Sequence, residues 1–255
     1  MTNREKFHDF VRGKTDEKFL PFPISKTAFS ASAVGKSWAT DVTNCEIRDV
    51  FLKSGCIPSV ILGEKEWFPK GHKLSLEPVL TDQNDDVRKY KSRVDTPYGV
   101  LEIELFESIR QSITIAGNPV KSEVDFNKIL WYIKEVRNYT DDIREKIEHT
   151  RNEVGDDCLI TFFIPQPYEL YCIFSREEAI YMEYDHPEKF FELQREIFDT
   201  VMHVIPAAIE AGADLILYGS VGTELYSPEI FEKYLLAPSI AYASEIRKHG
   251  GVSSF

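Results

Sequence analysis

The 255-residue sequence predicts an α/β fold, in which parallel strands alternate with helices after a more irregular first half. Two short apolar runs, residues 158–164 and 215–218, are each followed by long helical patterns. Apolar runs of this length are typical of strands that are buried on both faces. The strand–helix–strand–helix order favours a parallel sheet, and these residues alone leave a barrel and a doubly wound sheet both open.

Composition and charge exclude several classes of protein. Hydrophobic residues make up 43% of the chain, enough to bury a core, which excludes a fully disordered chain. No apolar run approaches the roughly 18 residues that span a membrane, and the N-terminus lacks a signal-peptide core, so we expect a cytoplasmic protein. The net charge of −12 and the lack of a basic patch disfavour nucleic-acid and membrane partners. The four cysteines are too scattered to form a disulfide scaffold.

The first half is predicted to combine short helices with antiparallel strands. Apolar spacing predicts a helix over residues 4–11, and residues 41–54 read as a second one. The proline-rich residues 20–24 fit either a first barrel strand or an extended entry segment. The best hairpin signal joins residues 87–94 to 100–105 through a turn with an early proline and a late glycine, Asp95-Thr96-Pro97-Tyr98-Gly99.

Helix signals dominate the rest of the chain. Asp125 is predicted to cap a helix that runs to Val136, and Thr140 to cap another that ends before Gly155. Two long helices with proline in their first turn are then predicted, opened by His186-Pro187-Glu188 and by Ser227-Pro228-Glu229. Residues 252–255 read as the start of one more strand.

Two loops after the buried strands hold the candidate site residues. The sequence has no nucleotide-binding loop, no zinc-ligand spacing and no serine-nucleophile motif. In one loop, Gly219 lets the backbone approach a ligand, Ser220 offers a hydrogen bond to a substrate, and Glu224 is a candidate catalytic acid or base. In the other, Tyr171 either reaches the pocket with its hydroxyl or buries its ring. The alternative is a plain tight turn with Glu224 in solvent.

These loops belong to a longer series of motifs. The series comprises Arg93-Val94-Asp95-Thr96-Pro97-Tyr98-Gly99-Val100-Leu101, His186-Pro187-Glu188, Gly212-Ala213-Asp214-Leu215-Ile216-Leu217-Tyr218-Gly219-Ser220, Glu224-Leu225-Tyr226-Ser227-Pro228-Glu229-Ile230-Phe231-Glu232-Lys233-Tyr234 and Pro238. In order and spacing it resembles the uroporphyrinogen decarboxylase superfamily. That superfamily includes the decarboxylase itself and methyltransferases that move methyl groups from a corrinoid protein to a thiol.

The resemblance implies a fold and a pocket. The fold is a single (β/α)8 TIM barrel of the uroporphyrinogen decarboxylase type over residues 1–255, incomplete in this chain, with an N-terminal region elaborated by a β-hairpin at about 87–120. The pocket lies at the carboxyl ends of the strands. Tyr171 and Ser220 match pocket residues of the decarboxylases, but residues 21–37 contain no counterpart of their arginine motif. A polyanionic substrate without those arginines would leave buried carboxylates unpaired.

The resemblance therefore favours a corrinoid-dependent methyltransferase that acts on a thiol, with Tyr171, Gly219 and Ser220 at the substrate and Glu224 in catalysis. Zinc is expected only through residues beyond Phe255, because the family's zinc ligands follow the strand that begins here at Val252. The alternatives are a cofactor-free uroporphyrinogen III decarboxylase of tetrapyrrole synthesis and a non-catalytic fragment of the fold. Expected partners are a small-molecule substrate, a corrinoid protein and a second copy in a homodimer.

Overall fold

The computed structural model describes residues 1–23, 28–116, 120, 122–168, 176–218 and 227–254. Its strands form one parallel and one antiparallel sheet, which confirms the predicted α/β class. The strands are β1 Ser59–Leu62, β2 Val79–Gln83, β3 Val87–Thr96, β4 Gly99–Ser108, β5 Gln111–Ile115, β6 Leu159–Phe163, β7 Leu215–Leu217 and β8 Ser253–Ser254.

Helices connect the strands of the parallel sheet. In the part of the chain that the structure describes, none of them is both long and apolar enough to cross a bilayer. A π-helical turn, Phe231–Leu236, joins α8 to α9 without a break. The helices are α1 Asn3–Val11, α2 Ala28–Ala33, α3 Asn44–Lys53, α4 Glu123–Val136, α5 Thr140–Val154, α6 Arg176–Asp185, α7 Pro187–Glu210, α8 Pro228–Ile230 and α9 Ala237–Lys248.

The four parallel strands lie in the order β1-β6-β7-β8. Ser59 pairs with Leu159 and Thr161 with Leu215, so the strands run in one direction from a common amino edge. Most side chains of β1, β6 and β7 are buried, as expected for strands covered on both faces. Within the described ranges the sheet is open at β1 and β8, and the closed eight-stranded barrel stays a prediction.

Of the two edge strands of this sheet, β8 was predicted from the sequence and β1 was not. The strand predicted to start in residues 252–255 is confirmed by β8, which pairs in parallel with β7. β1 was not predicted, because its four residues follow Pro58 in a segment rich in turn signals. Its pairing with β6, which the local pattern does not contain, defines it as a strand.

Helix α1 covers the amino ends of the parallel strands. Phe7 is 1% exposed and packs with Ile57, Leu159 and Leu215, which lie at or just before the first positions of β1, β6 and β7. The ring of Phe22 meets that of Phe7 edge-on, with 5.2 Å between centroids. Burying a phenylalanine contributes roughly 1.5–3 kcal/mol, so apolar packing holds α1 against the sheet.

A buried carboxylate adds a polar attachment at the same edge. Asp214 precedes β7, and its side chain is fully buried. Its Oδ1 accepts a hydrogen bond from Arg4 Nε at 2.5 Å and lies 3.1 Å from His8 Nε2. Its Oδ2 accepts from the Ile160 N–H at 2.9 Å and from the Arg151 guanidinium. Four groups therefore satisfy one charge, as a buried carboxylate requires.

The predicted hairpin is confirmed, with a shorter turn than expected. β3 and β4 pair along their whole length, and Thr96 lies opposite Gly99, which leaves Pro97 and Tyr98 as the turn. Gly99 has a φ of +104°, a conformation that a side chain disfavours. The Thr96 hydroxyl donates to the Gly99 carbonyl at 2.6 Å and closes the turn.

The antiparallel sheet has the order β2-β3-β4-β5, and its two central strands, β3 and β4, have one buried and one solvated face. Leu101 and Leu105 point to the buried face and share a core cluster with Phe126 of α4. The opposite face carries cross-strand ion pairs, among them Lys91–Glu102 at 2.5 Å. This alternation is typical of a sheet that packs on a helix with one side only.

Two local predictions need correction, and one open alternative is decided. Ser122, and not Asp125, caps α4, because its Oγ accepts from the Asp125 N–H at 3.3 Å. Thr140 lies inside α5, because a 3₁₀ turn, Arg137–Tyr139, leads directly from α4 into it. Residues 20–23 form no strand and match the extended alternative.

Candidate functional site at the carboxyl edge of the parallel sheet

The two loops that carry the predicted site residues leave the sheet side by side. Phe163 pairs with Leu217 at the ends of β6 and β7, and the Ile164 N–H donates to the Leu217 carbonyl at 2.9 Å. Both loops therefore start at the carboxyl edge, where parallel α/β folds carry their ligand sites. The predicted residues themselves lie outside the described residues: Tyr171 in the first loop, and Gly219, Ser220 and Glu224 in the second.

Gln166, shortly after β6, is a buried amide at this edge. It is 1% exposed, and its Nε2 donates to Ser239 Oγ at 3.0 Å. The Ser239 hydroxyl donates in turn to the Leu235 carbonyl at 2.7 Å. The amide oxygen Oε1 is buried without a hydrogen-bond partner. Buried oxygens of this kind are normally satisfied, so an unsatisfied one needs an explanation.

Next to this amide lies a carboxylate–tyrosine cluster, formed by Tyr168, Glu183 and Tyr234. The two tyrosine rings stack with 4.7 Å between centroids and 9° between planes. Both hydroxyls donate to the Glu183 carboxylate, Tyr168 at 3.4 Å and Tyr234 in a closer contact. The buried ring of Phe190 packs edge-on against both tyrosine rings.

Tyr234 is one of the two hydroxyl donors of the cluster. Burial and then the hydrogen bond to Glu183 raise the pKa of Tyr234 above its ordinary value, so the phenol keeps its proton at neutral pH. Lys233 Nζ lies 3.8 Å from Glu183 Oε1, but this lysine is 62% exposed and its pair contributes little. The cluster therefore offers hydroxyl donors and one carboxylate acceptor, groups that orient a ligand or hold a proton.

Pro238 lies just after the turn that contains Tyr234. A proline has no N–H, so Pro238 cannot donate to the carbonyl of residue 234 as a regular α-helix requires. The helix widens before it into the π-helical turn Phe231–Leu236, within which Tyr234 and Leu235 are buried. Such turns inside α-helices are frequent at functional sites.

A separate cavity of about 710 Å³ opens beside the carboxyl end of β1. Its wall includes Gly63 after β1, Thr40, and Arg88 and Tyr90 of β3. Behind it the fully buried Glu107 accepts from the Thr40 N–H at 2.9 Å, the Thr40 hydroxyl at 2.6 Å and the Tyr90 hydroxyl at 2.7 Å. The cavity has the volume of a small-molecule pocket, but the hydrogen bonds of Glu107 are already satisfied within the protein.

The described residues do not supply a metal centre. Among them, no three or more His, Cys, Asp or Glu side chains are grouped so as to hold a metal ion. His249 directly follows α9 and lies 3.1 Å from Glu245 in the last turn of that helix. His203 lies exposed in the middle of α7.

Sequence reasoning missed most of the described residues at this edge. Gln166 and Tyr168 belong to a loop that the sequence does single out, but only Tyr171 was chosen there as a site residue. Tyr234 lies in the motif series ahead of Pro238, a signal that could have found it. Glu183 has no signal, because it lies in α6 among other charged residues and meets the tyrosines only through packing.

The fold and this edge define an α/β protein with polar and aromatic side chains at the carboxyl ends of its parallel strands. Residues 107–255 match the family model described as Uroporphyrinogen decarboxylase (URO-D). The match covers more than half of the 255 residues, so the chain belongs to the uroporphyrinogen decarboxylase family. The resemblance drawn from the motifs is confirmed at the level of the superfamily.

A solved structure shows the same fold. A methyltransferase from Methanosarcina mazei is similar with a TM-score of 0.54 and 14% sequence identity. The similarity covers 99% of this chain and 68% of that one. At this identity it is evidence of fold alone. No curated protein matches the sequence.

Proposed function

We propose that the chain is a methyltransferase of the uroporphyrinogen decarboxylase family, which moves a methyl group from a corrinoid protein to a small thiol. Its parallel sheet is then one part of a (β/α)8 barrel. The observation that carries the proposal is the carboxylate–tyrosine cluster beside Gln166, at the edge from which both predicted loops leave. The fold shared with a methyltransferase is consistent with it.

In the proposed reaction the thiol proton would pass to a base, and the resulting thiolate would then form a bond to the methyl carbon, with the electron pair of the broken bond left on the corrinoid donor. Glu183 and Tyr234 are the described pair at this edge that can hold a proton between them. In the proposal Ser220 and Tyr171 orient the thiol, Gly219 allows close approach of the backbone, and Glu224 is a second acid or base. These four roles remain predictions.

Zinc, which activates thiols as thiolates in proteins of this kind, has no donor set among the described residues. The proposal therefore assigns it to residues beyond Phe255. No step above depends on where the zinc is held. The corrinoid belongs to a partner protein, and the cytoplasmic location and the homodimer expected from the family are parts of the same proposal.

The test is a methyl-transfer assay on protein that includes the residues proposed to bind zinc, with methylcobalamin, a small thiol and added zinc, in which the thioether product is measured by mass spectrometry. Tyr234→Phe removes the hydroxyl and keeps the stacked ring, so we expect kcat/KM to fall at least about tenfold. Tyr98→Phe is the matched control, because Tyr98 is exposed in the β3–β4 turn. Equal kcat/KM values for the two variants would mean that the Tyr234 hydroxyl takes no part in the reaction.

Decarboxylation of uroporphyrinogen is the second candidate, supported by the description of the matching family model. Against it, the substrate is a polycarboxylate, which needs cations to pair with its charges. Among the described residues, Lys233 is the cation that contacts the carboxylate–tyrosine cluster, and it already pairs with Glu183. Release of carbon dioxide from uroporphyrinogen III without methyl transfer would establish this alternative. Failure of both reactions would favour a non-catalytic member of the fold.

A further inference from the structure

The cavity of about 710 Å³ beside β1 shares no described residue with the carboxylate–tyrosine cluster. Its described wall is formed by the 3₁₀ turn Ala39–Asp41, the end of β1, the segment between β1 and β2, the antiparallel sheet and α5. Cavities of this size are typical of small-molecule sites. The cavity can therefore hold a ligand of its own.

One part of the cavity wall is apolar. It is supplied by Ile61, Phe68, Pro78, Leu80 and Ile113. Leu80 is 47% exposed although it lies in this concave wall, so a ligand that covered it would remove apolar surface from water. The wall thus favours a ligand with an apolar body.

The charged groups of the wall are unequal in number. Among the described residues that form it, the basic side chains are Lys65, Lys70, Arg88 and Lys146, and the acidic ones are Asp41, Glu66 and Glu77. Arg88 Nη1 lies 2.6 Å from Asp41 Oδ1, and Lys70 Nζ lies 3.3 Å from Glu77 Oε1. This wall therefore has one more positive than negative charge, in a chain whose net charge is −12.

Lys146 of α5 is a cation of this wall that has no partner in the described ranges. Its side chain is partly buried, and its Nζ makes no hydrogen bond or ion pair there. Asp142, one turn earlier in α5, lies 3.6 Å from His72 Nε2 instead. Because Lys146 lines the cavity, a bound anion can reach its ammonium group.

We infer that this cavity is a second binding site, which takes a small organic carboxylate with an apolar body. Lys146 pairs with the carboxylate, and Leu80 and Ile113 contact the apolar body. A carboxylate matches the single charge of Lys146, whereas a phosphate would bring nearly two negative charges into a wall that already has three acidic side chains. The inference does not depend on the proposed function.

Two probes of the same shape test the role of charge. 3-Phenylpropionate is a carboxylate at neutral pH, and 3-phenyl-1-propanol has the same ring and chain with an uncharged hydroxyl. Each is titrated into the ¹⁵N-labelled protein, and the assigned backbone amide signals of Gly63 and Ile113 give its Kd and locate its site. We expect the carboxylate to bind at least about tenfold more tightly than the alcohol.

Variants at Lys146 test the assigned counter-ion. Lys146→Met removes the ammonium group, so the carboxylate and the alcohol should bind equally. Lys146→Glu reverses the charge and should bind 3-phenylpropylammonium at least about tenfold more tightly than 3-phenylpropionate. Lys89→Met is the control, because Lys89 is 63% exposed on β3 and is not among the residues that line the cavity. It changes the net charge equally and should keep the preference for the carboxylate.

Each outcome decides the inference. No binding, equal affinities in the wild type, or a preference that survives in Lys146→Met overturns it. A preference that is also lost in Lys89→Met overturns it, because net charge alone would then explain the binding. Shifts at Tyr168 and Tyr234 without shifts at Gly63 would place the acid at the other site and reject the cavity.

The unfolding midpoint separates binding from structure. Lys146 is partly exposed, so both of its variants should keep the midpoint of the wild type within about 4 °C. A larger fall would mean that Lys146 has a structural role and would overturn the inference. The preference in a protein without methyl transfer supports the inference and rejects the proposed reaction, and methyl transfer without the preference does the reverse.

Discussion

Arg4 in the first helix donates through Nε to Oδ1 of Asp214 at 2.5 Å, a contact that spans 210 positions of sequence. The carboxylate is fully buried, so it depends on this and its other donors to remain charged. Because Asp214 immediately precedes β7, the contact attaches α1 to the amino edge of the parallel sheet. The sites proposed above lie at the other edge, so this attachment can be altered without touching them.

Asp214→Ala should lower the free energy of unfolding by about 3–5 kcal/mol, because it leaves the half-buried Arg151 guanidinium without its partner. The control is Asp156→Ala. Asp156 also pairs with Arg4, at 3.6 Å, but it is 61% exposed, and its loss should cost less than about 1 kcal/mol. Urea unfolding followed by circular dichroism measures both. Equal losses would mean that Asp214 is not the stabilising partner.

Stability should also depend on pH through Asp214. Burial alone would raise the pKa of this carboxyl, but the hydrogen bond from His8, the charge of Arg151 and the bonds from Ile160 and Arg4 together lower it below its ordinary value. The stabilisation is therefore complete above about pH 4 and is lost as the pH falls through the lower, folded-state pKa. The unfolding free energy of Asp214→Asn should fall less steeply than that of the wild type below pH 4. Parallel curves would contradict this.

Cys158 should resist alkylation in the folded protein. Burial raises the pKa of its thiol to about 12, and only the thiolate reacts. At pH 8 we expect iodoacetamide to modify the partly exposed Cys45 and Cys56 and to leave Cys158 unmodified. Peptide mass mapping measures each position. The same treatment in urea is the control, and Cys158 should then react; its modification in the folded protein would disprove the prediction.

Glu107 should stabilise the junction between the antiparallel sheet and the 3₁₀ turn Ala39–Asp41. Glu107→Leu removes the acceptor that the Thr40 N–H, the Thr40 hydroxyl and the Tyr90 hydroxyl share, and it leaves the Thr40 N–H unpaired, which should cost about 3 kcal/mol in the free energy of unfolding. Glu104→Leu is the matched control on the solvated face of the same strand, where the pair with Lys91 at 3.3 Å contributes little. Similar urea midpoints for the two variants would be evidence against a buried network.

The elements that sequence could predict are those whose signals are local. β6 and β7 are short continuous apolar runs, and Pro187 marks the first turn of α7. β1 escaped prediction because its identity lies in its pairing with β6, many residues later. The cap of α4 was misplaced because Ser122 and Asp125 are both good capping residues, and the choice between them depends on backbone geometry.

The candidate site shows the same division. The motif series predicted that the site lies at the carboxyl edge of the parallel sheet, because the order of strands and loops can be inferred from local sequence patterns. Glu183 could not be found this way, since a glutamate in a charged helix is ordinarily a surface residue. Its contact with Tyr234 joins residues 51 positions apart, and Tyr234 lies in the π-helical turn ahead of Pro238. The predicted roles of Tyr171, Gly219, Ser220 and Glu224 remain predictions, because those residues lie outside the described ranges.

The contact between Arg4 and Asp214 can form only after both residues have been synthesised, so α1 docks later than it is made. A ribosome adds about 5–20 residues per second, so roughly 10–40 s separate the synthesis of these two residues. During that interval helix α1 has left the ribosome while its partners on β7 do not yet exist, and Phe7 stays open to chaperones and proteases. Helix α1 is thus made long before it can dock against β7, and we expect a bulky fusion at Met1 to hinder that docking.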